Sequence, residues 1–272
     1  MLTPFILHAY LFILGAVLGS FYNVVGLRVP LKKSITYPGS ACSVCNKKLS
    51  VVELIPILSY LFQKGKCRNC KSSISPLYPT IEFLTAILFA ISPLLVGWSK
   101  ELVISWTLIS LCMIVIVSDL KYMIIPDKVN VFFLFLFLGE RLIIPTDPWW
   151  DPFAGLVFGT FVPLVVILVS RGGMGGGDMK LLAVFGLALG WKLVLLSFFL
   201  AILIGTVIGI IGMMMGFIKT GKPFPFGPFL VLGALISYFY GQYLIQLYVA
   251  IFFPYFFKKS LVVLSHKLLM IL

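Results

Sequence analysis

The chain has 272 residues, 61% of them hydrophobic and only 11% charged, with a mean hydropathy of +1.11 and a formal net charge of +12. Water-soluble domains carry roughly 25% charged residues, so a soluble catalytic domain is excluded and lipid is the expected solvent. Nucleic acid is not the expected partner either. No basic face interleaved with aromatics appears, and Lys and Arg in a membrane chain mark cytoplasmic loops.

Apolar runs of roughly 17–25 residues mark membrane-crossing helices. The first, Phe5–Leu27, has no basic residue before it and no small-residue cleavage site after it. It reads as a retained span and not as a removed signal peptide. A polar loop, 28–80, follows. Further runs are Ile81–Trp98, Leu102–Ser118, Val129–Ile144, Phe153–Ser170, Leu181–Gly190, Leu193–Ile218 and Pro228–Ala250, which makes eight. The sixth is short, with its boundary near Gly190–Trp191–Lys192. The segment Phe252–Leu272 is apolar but interrupted by Lys258, Lys259, His266 and Lys267; it lies flat on the interface or crosses again. The expected fold class is an all-α polytopic membrane protein, with about eight transmembrane helices and a small cytoplasmic zinc-binding loop domain. The expected divisions are a first helix over 1–27, the loop over 28–80, a transmembrane core over 81–251 and a tail over 252–272.

Charge orients these spans. The 28–80 loop carries nine Lys/Arg and one acid, Glu53. With that loop inside, the inside loops hold fifteen basic residues, the outside loops hold Lys100, Arg141 and Lys192, and the tail holds three. That asymmetry puts the N-terminus outside. Asp119, ending the third span, and Asp178, preceding the sixth, then share the cytoplasmic rim.

Two CxxC pairs punctuate the loop: Cys42 with Cys45, and Cys67 with Cys70. Such pairs form knuckles in which two thiolates from one tight turn reach a single ion. Four thiolates close a tetrahedron and leave no site for water, so the zinc is structural. Disulfides are disfavoured in a reducing cytoplasm. Cys112, inside an apolar run, reads as a core residue.

Ionisable groups at the ends of membrane spans are functional candidates. The inside acids are Glu53, Glu82, Asp119, Asp127 and Asp178. Asp178 follows Gly175–Gly176–Gly177 in RGGMGGGDMK. Glycines there let backbone approach a partner helix or an extended peptide. Gly175, Gly177, Lys180 and Asp127 complete the candidate active-site loop. If Asp119 and Asp178 meet, they cannot easily both ionise, and one keeps a proton. Such a pair activates water and protonates a leaving amine, the chemistry of an aspartic protease. The bland alternative for Asp178 is a helix N-cap. Asp127 stays open as the second acid, although Asp119 is preferred.

Several blocks in order resemble the type IV prepilin peptidases, membrane aspartic proteases of the GxGD kind. They are GSFYNVVGLRVP (Gly19–Pro30), the CxxC pairs, ELIPILSYL (Glu53–Leu61), ISPLYPTIE (Ile74–Glu82), SDLKYMIIPD, GMGGGDMKLL (Gly173–Leu182) and PFPFGPFLVLGA (Pro223–Ala234). The resemblance implies removal of a short basic leader from prepilin or pseudopilin precursors, after a glycine, on the cytoplasmic face of the bacterial inner membrane. Asp119 and Asp178 match the family's catalytic pair. Many members also N-methylate the new N-terminus with S-adenosylmethionine. The Gly19–Pro30 block and the cysteine loop belong with that bifunctional form. Gly19, Ser20, Asn23, Arg28, Glu53 and Glu82 are the candidates for methyl transfer or substrate contact. Glu53 departs from the Asp that relatives commonly show there.

Three alternatives remain: peptidase activity alone, a non-catalytic zinc-ribbon scaffold of a pilus or secretion assembly, and a transporter. The last is disfavoured because the acids sit at the rim and not at mid-bilayer. No Rossmann fingerprint is present, so the S-adenosylmethionine site has no address in the sequence.

Overall fold

The structure is a computed structural model that describes residues 2–171, 173–216 and 224–252. Among these residues it is all helical, with only two isolated β-bridges. The helices are α1 (Leu2–Arg28), α2 (Leu58–Phe62), α3 (Leu77–Val96), α4 (Glu101–Tyr122), α5 (Asp127–Ile143), α6 (Asp151–Val169), α7 (Gly176–Leu189), α8 (Trp191–Met214) and α9 (Gly227–Phe252). A single 3-10 turn spans Val51–Leu54. The tail over 253–272 lies outside the described residues.

Each of the eight apolar runs is a helix, but only six are long and apolar enough to cross a membrane: α1, α3, α4, α6, α8 and α9. Helices α5 and α7, with 17 and 14 residues, are shorter. At 1.5 Å per residue, α7 rises only about 21 Å, less than the roughly 30 Å hydrocarbon core. It ends at Gly190, whose φ of 82° suits glycine, and α8 begins at Trp191. The break therefore falls on the glycine, and Trp191 and Lys192 belong to the next helix.

Helix α4 forms the centre. Of its most apolar window 67% is buried, against 22% for α6 and α8. Helices α1, α3, α5, α7 and α9 all touch it, while α6 packs on α7 and α8. The peripheral helices turn Phe5, Ile13, Val17, Phe161, Phe199 and Ile210 outward, as expected where lipid is the solvent. Without a hydrophobic drive between helices in lipid, small residues set their approach. Gly15 and Gly19 form a GxxxG pair on α1; a Cβ on either would lie 2.8 Å from Ala86 or Glu82 Cα of α3. Gly155 of α6 meets the Gly186 backbone of α7 in the same way.

One polar knot sits at the N-terminal end of α4. Arg141, 7% exposed, pairs with Glu101 at 2.7 Å and donates to the Ala188 carbonyl. The Thr107 hydroxyl donates to Glu140 at 2.6 Å, and the Tyr238 hydroxyl to the Glu101 carbonyl at 3.0 Å. Arg141 therefore sits in the last turn of α5 and not in a loop, its charge met by Glu101, whose side chain is 35% exposed.

Candidate active site

The opposite end of α4 carries Asp119. Met123, at φ 53° and ψ 39°, caps the helix and returns its N–H to the Asp119 carbonyl at 2.8 Å. The Asp119 side chain is 5% exposed. Its Oδ2 accepts the Gly227 N–H at 2.8 Å. Gly227 opens α9, so the carboxylate faces the positive end of a helix dipole. Asp178 lies in the first turn of α7 and is half-buried. It is close enough to Asp119 for the two charges to interact. Its backbone N–H donates to the Gly175 carbonyl at 3.1 Å. A Cβ on Gly177 would touch Ile125, at 3.4 Å, in the link between α4 and α5. Three elements therefore converge on the pair: the end of α4 and the starts of α7 and α9.

Asp127 is not drawn into this pair. It is exposed, and Lys180 Nζ bonds its Oδ1 at 2.8 Å, with the two side chains 66% and 51% exposed. That ion pair ties the first turn of α5 to that of α7 beside the acids. Gly227 is the contributor that sequence reading missed. PFPFGPFLVLGA was noted as a block, but nothing in it announces an N–H aimed at a distant carboxylate.

The cysteine loop is built from two matching knuckles. The Cys42 N–H bonds the Lys47 carbonyl and the Asn46 N–H bonds the Cys42 carbonyl; Cys67, Ser72 and Lys71 repeat the pattern. Asn46 and Lys71, each just after a second cysteine, have φ of 54° and 59°. The ligand atoms of Cys42, Cys45, Cys67 and Cys70 all lie within 4.8 Å of one another, and Cys42 and Cys70 Sγ are 3.7 Å apart. Tetrahedral zinc with bonds of about 2.3 Å spaces its sulfurs about 3.8 Å apart, so the four can hold a zinc ion. N–H groups of Cys45 and Val44, with the Ser72 hydroxyl, bring the Cys42 thiol down to about 6, favouring the thiolate that metals bind. All five cysteines are free, and Cys112 is fully buried in α4.

The remaining candidates gather where α1 and α3 meet the loop. Arg28 donates to the carbonyls of Ser34, Ile35, Pro38 and Gly39, the shortest at 2.7 Å, and so organises the loop's entry. Glu53 is 8% exposed and accepts the Ser50 N–H at 2.9 Å and hydroxyl at 2.8 Å. The N–H first and the hydroxyl second hold its carboxyl below the ordinary range. Glu82 lies on α3 and accepts the Ile57 N–H at 2.7 Å. Ser20 lies beside the same carboxylate. Asn23 donates to the Tyr78 carbonyl at 3.1 Å. Gly19 lets α1 approach α3 at Glu82.

Comparison with known proteins shows the family. Residues 13–96 match the model of the bacterial peptidase A24 N-terminal domain, and residues 106–210 that of the type IV leader peptidase family. The prepilin leader peptidase/N-methyltransferase of Bacillus subtilis is 43% identical over 88% of this chain and 96% of its own. The chain belongs to the type IV leader peptidase family. Proteins of the same description from Pseudomonas aeruginosa and Aeromonas salmonicida are 31% and 30% identical, over 87% and 91% of this chain and 91% and 95% of theirs. No solved structure matches.

Proposed function

We propose that this chain is a membrane aspartic endopeptidase that removes the leader from prepilin-like precursors after glycine and then N-methylates the new end. What supports cleavage is the placement of Asp119 near the end of α4 and Asp178 in the first turn of α7, close enough for their charges to interact, with the α9 N-terminus bonded to Asp119. With one proton shared, the ionised carboxylate takes a proton from water, whose oxygen attacks the glycine carbonyl carbon. The protonated carboxyl donates to the departing nitrogen as the C–N bond breaks. The Gly227 N–H fixes Asp119 for this step, and the Lys180–Asp127 pair holds the two helix starts that flank it. Gly175 and Gly177 keep the approach low enough for an extended peptide.

The cytoplasmic face of the bacterial inner membrane is the side this reading assigns to the site. The span ends that this reading puts outside carry only Lys100, Arg141 and Lys192, against fifteen basic residues inside, which supports that orientation. The loop over 28–80 acts as a zinc-bound domain beside the 81–251 core, and 1–27 delivers the methyl-transfer residues. S-adenosylmethionine supplies the methyl group. Gly19, Ser20, Asn23, Arg28, Glu53 and Glu82 are the residues nearest that chemistry and the substrate end.

Mass spectrometry of a candidate pilin's N-terminus, with and without this protein, tests both activities. Cleavage and one added methyl group are expected. A precursor left intact, with the protein present and zinc-loaded, overturns the peptidase reading. Cleavage with no methyl transfer restricts the protein to peptidase activity.

A further inference from the structure

Glu82 is a buried acid that cleavage leaves without a task and, unlike Glu53, lies on a long helix. It is 8% exposed, beside a loop holding nine Lys and Arg. Yet the ion pairs among the described residues are Arg141–Glu101 and Lys180–Asp127. Its carboxylate accepts the Ile57 N–H, and Ser20 lies beside it. An ionised carboxylate offers about four acceptor positions, so capacity remains.

Along the same contact between α1 and α3, Asn23 is 1% exposed, and its Oδ1 is buried with no partner. Asn23 follows Ser20 by nearly one turn of α1, and its carbonyl partner Tyr78 precedes Glu82 by one turn of α3. Asn23 and Glu82 thus lie about one helical turn apart along the contact between α1 and α3. Buried polar groups seldom stay unmet. Over the site lies Ile57, with its N–H held by Glu82 and a φ of 62°. A β-branched residue at positive φ is a genuine outlier, and such strain gathers at ligand clamps.

A charged acceptor beside a neutral one fits a cation with several N–H donors. An α-ammonium has three on one nitrogen. A sulfonium has the charge but no donor, and would leave Asn23 unmet; the α-ammonium of S-adenosylmethionine has the same donors as a peptide end, so loss of peptide binding in excess S-adenosylmethionine would assign the seat to the cofactor and overturn the proposal. We propose that Glu82 and Asn23 form the seat of the new N-terminal ammonium after cleavage, under the Ile55–Ile57 turn. This rests on the methyltransferase reading above. Glu82 is also positioned to take the proton that the nitrogen sheds before it can be alkylated.

The test compares binding of a mature-end peptide, and of the same peptide lacking its α-amine, to the detergent-solubilised full chain. The wild type is expected to bind the amine at least about tenfold tighter, the scale of a charge-assisted hydrogen bond. Glu82→Gln keeps an acceptor for Ile57 and should bring the two peptides within about twofold. Its ratio of methylated to unmethylated ends among cleaved chains should fall about tenfold or more. Zinc content checks that the variant loop is folded. No amine preference in the wild type, or a preference that survives Glu82→Gln, overturns the seat. A wild type that prefers the amine but transfers no methyl overturns the methyltransferase reading and supports the seat.

Discussion

Gly227→Ala probes whether Asp119 must be held where it is. A Cβ at residue 227 would lie 2.7 Å from Asp119 Oδ2, 2.9 Å from Cγ and 3.0 Å from Cβ, where ordinary contact begins at 3.4 Å. The carboxyl must therefore retreat by about 0.7 Å or swing aside. It cannot simply move outward, because Asp119 is 5% exposed at the end of the central helix. Either movement breaks the 2.8 Å bond from the Gly227 N–H. A hydrogen bond to a charged group contributes about 1.5–3 kcal/mol, and about 1.4 kcal/mol is tenfold in rate. Cleavage should slow about ten- to hundredfold. Single-turnover cleavage of a purified precursor by the solubilised protein measures it, with zinc content as the check on folding. KM should stay within about threefold, since the glycine positions the acid and not the peptide. A variant that cuts within twofold of the wild-type rate would refute the reasoning.

Asp127→Asn removes an ion pair whose side chains are 66% and 51% exposed. Such pairs contribute about 0–1 kcal/mol, so cleavage should fall less than about fivefold, and a loss of about a thousandfold would make Asp127 the second acid. Cys67→Ser should lower bound zinc, read by metal analysis, from one ion per chain to near zero; retained stoichiometric zinc would contradict the four-sulfur site. Glu53 has its carboxyl held low in the folded loop, chiefly by the Ser50 N–H. Its contribution is present above the unfolded value near 4.3 and fades as pH falls through the lower folded value. Hydrogen-exchange protection of residues 50–54, taken relative to the intrinsic rate at each pH, should therefore fall on acidification in the wild type and not in Glu53→Gln. An unchanged pH response in the variant would show that Glu53 is not the group responsible.

The helical architecture was legible because lipid removes ambiguity: an apolar run in this composition has only the helix available. The two knuckles were legible for a similar reason, since CxxC spacing has few other uses. What escaped were properties of approach in space. Arg141 stands next to a loop in sequence, and only the packing of α4, α5 and α7 shows it paired with Glu101. The short sixth run extends N-terminally through Asp178 to Gly176 as α7, which its apolar stretch alone did not mark. Gly227 and Ile57 matter through backbone N–H groups aimed at carboxylates, and a backbone donor leaves no trace in residue identity. The pairing of Asp119 and Asp178, separated by 59 positions in the chain, rested on matching depth and on the family resemblance; the helix ends that bring their charges within reach of each other came only with the fold.

The most direct test replaces each acid of the pair by its neutral isostere. With Asp119→Asn or Asp178→Asn in membranes, a prepilin-like precursor analysed by N-terminal mass spectrometry should keep its whole leader, while zinc content and membrane insertion match the wild type. Mature, correctly cut product from Asp178→Asn at the wild-type rate would contradict the account.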